Sequence, residues 1–161
     1  YLLGNCRFFL CSSSGAQAVP PLFNVPVATA HMISLWPQQV GTKSTYIPKF
    51  MKRRETGEIL SFKEFFDATV RAEDYLGVDV DLHSLYENDT YTIVDNNEDD
   101  VLDLCLDMFD LIEDRKPPDG AEFYQNMYMD RFVKPAEDLY KFGPRISPRF
   151  ALKYGKLIEM G

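Results

Sequence analysis

The chain has 161 residues, 45% of them hydrophobic and 14% aromatic, with a net charge of −8. That length fits one domain, and that apolar content excludes general disorder. No stretch approaches the roughly 20 apolar residues of a membrane helix, and Arg7 interrupts the first apolar run, so no signal peptide is read there.

The charge is unevenly placed. Residues 73–114 hold fifteen Asp or Glu and no Lys or Arg, against 17 basic and 10 acidic side chains elsewhere. The acidic stretch reads as a solvated helix face with a flanking loop. A basic cluster at Lys43, Lys49, Lys52, Arg53 and Arg54 is too local for tracking a phosphate backbone, so nucleic acid is not an expected partner. Three cysteines (Cys6, Cys11, Cys105) without C-x-x-C spacing read as reduced core residues of a cytoplasmic protein. Two histidines, neither beside a cysteine, give no zinc motif.

Taken in order, residues 6–11 read as a buried strand that stops at Ser12-Ser13-Ser14-Gly15. A buried strand at the start of a chain that opens on Tyr1 suggests a fragment of a larger protein. Pro20-Pro21 restricts the following helix to a start near Ala16–Ala18 and an end by Asn24, because proline is tolerated only in a first turn. The amides of Ser13 to Ala18 are then free to hold an anion. Glycine at position 15 would allow φ > 0 and a close approach to the backbone.

Residues 25–30 read as a second strand, and 33–60 as irregular. Ser61 and Glu64 form a capping box for a helix to about Val70; 73–90 reads as a loop with a short helix, and 91–94 as a third strand. Asn97 caps the best-defined helix, in which Val101, Leu104, Cys105, Met108, Leu111 and Ile112 recur at helical spacing. Pro117-Pro118 ends that run. A helix near 121–132 follows, then a Gly/Pro loop at 143–148 and a last helix capped by Ser147 with Pro148 first.

Strands separated by helices indicate an α/β layered domain with a mostly parallel sheet. Its ligands would bind beyond the carboxyl ends of the strands, where Ser12–Gly15 and His31 fall. A strand, a small polar loop and a helix start make a phosphate site. The plainer alternative is a tight turn whose serines cap a helix. Gln17 could bond a phosphate or a sugar hydroxyl, or be a solvated surface residue. Arg7 could contact a ligand, or sit at a strand edge paired to a carboxylate. His31 could act as acid, base or donor, or be structural.

The stretch Leu2 to Gly15, continued by Val19-Pro20 and Leu22 to Val27, resembles the donor-binding half of GT-B glycosyltransferases. More narrowly it resembles a bacterial family of surface-carbohydrate glycosyltransferases. Tyr46 to Lys49 with Leu60-Ser61-Phe62, Val94 to Asp100, and Pro144 to Phe150 resemble that family in the same order. The resemblance implies a Rossmann-like half over residues 1–116, with 117–161 as a helical tail packed on it. It implies a nucleotide-sugar donor whose diphosphate meets the loop Ser12, Ser13, Ser14 and Gly15; from the residues themselves Gln17 joins that site, and Arg7 and His31 are candidate donor or acceptor contacts. A glycan acceptor, an N-terminal domain carrying the catalytic base, a cytoplasmic or membrane-peripheral location, and no cofactor or metal also follow from it. Two other functions suit parts of the sequence: a sugar-phosphate isomerase or sensor, and a protein-interaction domain whose acidic stretch meets a basic partner.

Overall fold

A computed structural model describes residues 1–37, 43–69, 89–134 and 143–160. The chain is mixed α/β. Its main sheet has four parallel strands in the order β1 (Phe9–Ser12), β2 (Val27–Met32), β3 (Thr45–Pro48) and β6 (Arg145–Ile146). A separate antiparallel pair joins β4 (Phe50–Arg53) to β5 (Tyr91–Val94). Almost every residue of β2 is buried, as a parallel strand covered on both faces requires. In β1 partly buried and exposed residues alternate, and it lies at the sheet edge.

The helices are α1 (Phe62–Thr69), α2 (Glu98–Ile112), α3 (Ala121–Tyr128), α4 (Pro148–Lys153) and α5 (Gly155–Glu159). Helix α2 starts on a reciprocal cap: Asn97 Oδ1 accepts from the Asp100 amide at 2.9 Å, and Asp100 Oδ2 accepts from the Asn97 amide at 3.2 Å. It buries Leu104 and Met108 and packs on β2 and β3. Asp100 ties it to the C-terminal helices, accepting from Lys153 Nζ at 2.7 Å and the Tyr154 hydroxyl at 2.9 Å. Ser61 and Glu64 likewise cap α1 through bonds in both directions. An aromatic cluster fills the core, with Phe62 against Phe50, Tyr128, Phe132 and Phe150 at ring separations of 5.4–6.3 Å. Two buried phenols, Tyr46 and Tyr128, both donate to the Leu35 carbonyl, at 3.0 and 2.7 Å.

The first strand, read as buried over 6–11, runs Phe9–Ser12 and is half exposed because it has a neighbour on one side only among the described residues, and three later segments also differ from the expectation. The helix read over 16–24 is two 3-10 turns, Gly15–Ala18 and Pro20–Phe23. Adjacent prolines supply no N–H and clash with a preceding turn, so an α-helix cannot run through them. Asn24 closes the second turn in the left-handed region, at φ 57°. Residues 33–60 contain β3 and β4 rather than only irregular chain. The 117–161 segment, expected as a helical tail, also adds β6 to the sheet, and α3 continues into a π-turn at Met129–Val133. The loop and short helix read over 73–90 lie almost wholly outside the described residues, as does Val70. Among the described residues no helix is long and apolar enough to cross a membrane.

Candidate functional site

The carboxyl ends of β1 and β2 bring most of the candidate residues together. In their register Ser12, the last residue of β1, pairs with Ala30, the residue before His31 on β2. The strand order does not reverse among the described residues, so this edge is marked by its loop chemistry rather than by a topological switch point.

Ser12, Ser13, Ser14 and Gly15 are all exposed. Ser14 holds the cap position of the first 3-10 turn in extended conformation, and its carbonyl accepts the Gln17 amide at 3.1 Å. Its side chain makes no capping bond, so the plain capping role is not the one it performs. Gly15 does not adopt a positive φ. A Cβ built there meets nothing within 4 Å, so its contribution is open space over the loop rather than left-handed geometry.

Gln17 is buried, at 9% exposure, and its Oε1 has no hydrogen-bond partner among the described residues. A buried acceptor left unpaired costs about 1–3 kcal/mol, and strands and cores rarely retain one without a use for it. Gln17→Met should therefore raise the unfolding free energy by about 1 kcal/mol in chemical denaturation. A loss of stability would mean that the amide is paired in the folded protein.

His31 is held in an unusual way. Its φ is 55°, in the left-handed region that few non-glycine residues enter, and the β2–β3 register shifts across it. Asn96 grips it on both sides: its Oδ1 accepts the His31 amide at 2.9 Å, and its own amide donates to His31 Nδ1 at 3.2 Å. Asn96 is anchored in turn by donating to the Pro48 carbonyl at 2.8 Å. Beside it, Lys49 Nζ pairs with Asp95 Oδ1 at 2.7 Å. The hydrogen bond from Lys49, with the nearby Lys49 charge, lowers the Asp95 carboxyl below its usual range.

Arg7 is not part of this edge. It precedes β1 at the opposite end of the sheet, pairs with Glu113 and lies 5.4 Å over the Phe109 ring.

A second polar cluster lies beyond the amino ends of β3 and β6, around a cavity of about 170 Å³. Its centre is Asp107, on α2 and almost fully buried, which accepts from the Ser147 hydroxyl, the Arg149 amide and the Arg149 guanidinium. Burial raises the Asp107 carboxyl above its ordinary value despite these donors.

Sequence reasoning missed Asn96 and Asp107. Asn96 reads only as the residue before a cap. Asp107 does carry a signal, since an acid beside Leu104 and Met108 stands on an otherwise apolar helix face. Among the described residues no group of three or more His, Cys, Asp or Glu is placed to hold a metal ion. Comparisons with family models, with curated proteins and with solved structures found no match.

Proposed function

We propose that this chain holds a nucleotide-diphosphate sugar at the carboxyl edge of β1 and β2, as the Rossmann-like donor-binding part of a glycosyltransferase acting on a surface glycan. The observation that carries this reading is a pairing of opposite needs. The exposed Ser12 and Ser14 hydroxyls offer donors, while beside them the buried Gln17 carbonyl has no donor among the described residues. A ligand satisfying both carries phosphoryl oxygens and sugar hydroxyls together. The resemblance of the N-terminal stretch to GT-B donor halves supports the same ligand.

The chemistry is displacement at the anomeric carbon: an acceptor hydroxyl forms the new C–O bond as the bond to the diphosphate breaks. Negative charge then grows on the departing diphosphate, and donors aimed at it lower the barrier. Because the loop leads into a single 3-10 turn, its individual N–H and O–H groups do this work rather than the dipole of a long helix.

The test is calorimetric titration of the chain with UDP, GDP, ADP, CMP and dTDP and their sugar conjugates, with hexose phosphates alongside. One nucleotide class is expected to bind. Ser14→Ala should weaken it about tenfold, the value of one hydrogen bond to a charged group, with the melting temperature unchanged because Ser14 makes no cap bond. Binding of hexose phosphates alone would replace the reading with a sugar-phosphate isomerase or sensor. Binding of neither class would remove the ligand site.

A further inference from the structure

The Asn96 grip on His31 does more than support a strand end. A left-handed residue with a side chain costs about 1–3 kcal/mol unless its surroundings hold it. If the position needed only a side chain that accepts from the Asn96 amide, asparagine would serve better, since it tolerates this backbone and carries an acceptor close to the Nδ1 position. What histidine adds is its second ring nitrogen. Because Asn96 donates an N–H to Nδ1, Nδ1 is unprotonated and the neutral ring carries its proton on Nε2. Among the described residues no hydrogen-bond partner of Nε2 is seen, and the Asp95 carboxylate, which lies within electrostatic reach of the ring, is engaged by Lys49. The imidazole is thus fixed as a donor, with its acceptor side already occupied.

We propose that His31 donates its Nε2–H to a phosphoryl oxygen of the ligand at the carboxyl edge of β1 and β2, with Asn96 as the residue that positions it. This rests on the diphosphate reading of the same edge. It also removes His31 from the role of general base, since Nδ1 is taken and Nε2 has no lone pair to accept a proton. Asn96 acts through its two side-chain bonds, which hold its own amide against Nδ1.

Two measurements on the full chain test the assignment. The first is the ¹⁵N spectrum of the two histidines, His31 and His83. The His31 ring should show one tautomer, protonated at Nε2, and Asn96→Ala should turn it into a mixture. The second is titration with inorganic pyrophosphate and with UDP. His31→Asn keeps an acceptor for the Asn96 amide and suits the backbone, yet its own N–H donors sit at the Cδ2 position of the ring, short of Nε2, so it should weaken binding about tenfold without lowering the melting temperature. Should Asn96→Ala fail to fold, His31→Asn alone decides. A ring protonated at Nδ1 would overturn the proposal. Equal binding by wild type and His31→Asn would also overturn it, while leaving the diphosphate site standing. A wild type that binds neither pyrophosphate nor UDP sinks the diphosphate reading, and this inference with it.

Discussion

Phe62→Ala is expected to lower the unfolding free energy by about 4 kcal/mol. Phe62 is 1% exposed and touches elements that are far apart in sequence. Its ring meets Phe50 on β4, Tyr128 on α3, Phe132 in the π-turn and Phe150 on α4. Truncation forfeits the transfer free energy of the ring and leaves a cavity that these neighbours, packed on one another, cannot close. For a chain of this size the melting temperature should fall by roughly 8–16 °C. Urea denaturation of Phe62→Ala and Phe62→Leu checks the cause, since leucine refills much of the volume and should cost under about 2 kcal/mol. Equal losses in the two variants would mean that ring packing is not what Phe62 contributes.

Asp107→Ala should cost about 3 kcal/mol. Its carboxylate is the common acceptor for the buried Ser147 hydroxyl and for the amide and guanidinium of Arg149, across 40 or more residues of sequence. Removing it leaves the Ser147 O–H and the Arg149 amide without their acceptor at the start of α4. Breaking a buried pair in this way costs about 3–5 kcal/mol, and the lower end applies because Arg149 keeps Asp110 at 2.7 Å. The pH dependence has a definite sign. Burial raises the folded carboxyl above the ordinary aspartate value of about 3.9. Between those values the folded chain therefore holds a proton that the unfolded chain has lost. Wild-type stability from this group falls as pH rises through that window. Denaturation curves of wild type and Asp107→Asn, compared from about pH 4 to 6, should differ in slope in that direction. Parallel curves would mean that the Asp107 carboxyl is not raised.

The elements that the sequence displayed best are those whose signals are local. Asn97 with Asp100, Ser61 with Glu64, and Ser147 with Pro148 are each complete within four residues, and each caps the helix expected. Strand β5 matches its expected span, because Tyr91 to Val94 is β-prone and bounded by polar residues. Strands β3 and β4 were hidden because Pro48 ends the first and Lys49 alone separates it from the second, so the stretch reads as broken chain rather than as two strands. What makes Thr45 to Pro48 a strand is pairing with β2 on one side and β6, about 100 residues later, on the other. The same limit governs the site. The serine loop is contiguous and was legible as a donor-rich segment at a strand end. The grip on His31 joins residues 65 apart in sequence, and nothing near position 31 announces it. The buried state of Gln17 follows from how the 3-10 turn folds against β1, which propensity does not encode.

The edge position of β1 governs how the proposed site would respond to a ligand. Strand β2 is bonded on both sides, whereas among the described residues β1 is bonded to β2 alone. Local opening is cheapest where a strand has one neighbour, so β1 and the serine loop hanging from it belong to the part of the fold that opens first. His31, on β2, belongs to the part that opens last. A ligand spanning the two would link a labile segment to a persistent one, and part of its binding free energy would be spent in holding β1 against the sheet. The loop's order and the ligand's occupancy would then rise and fall together.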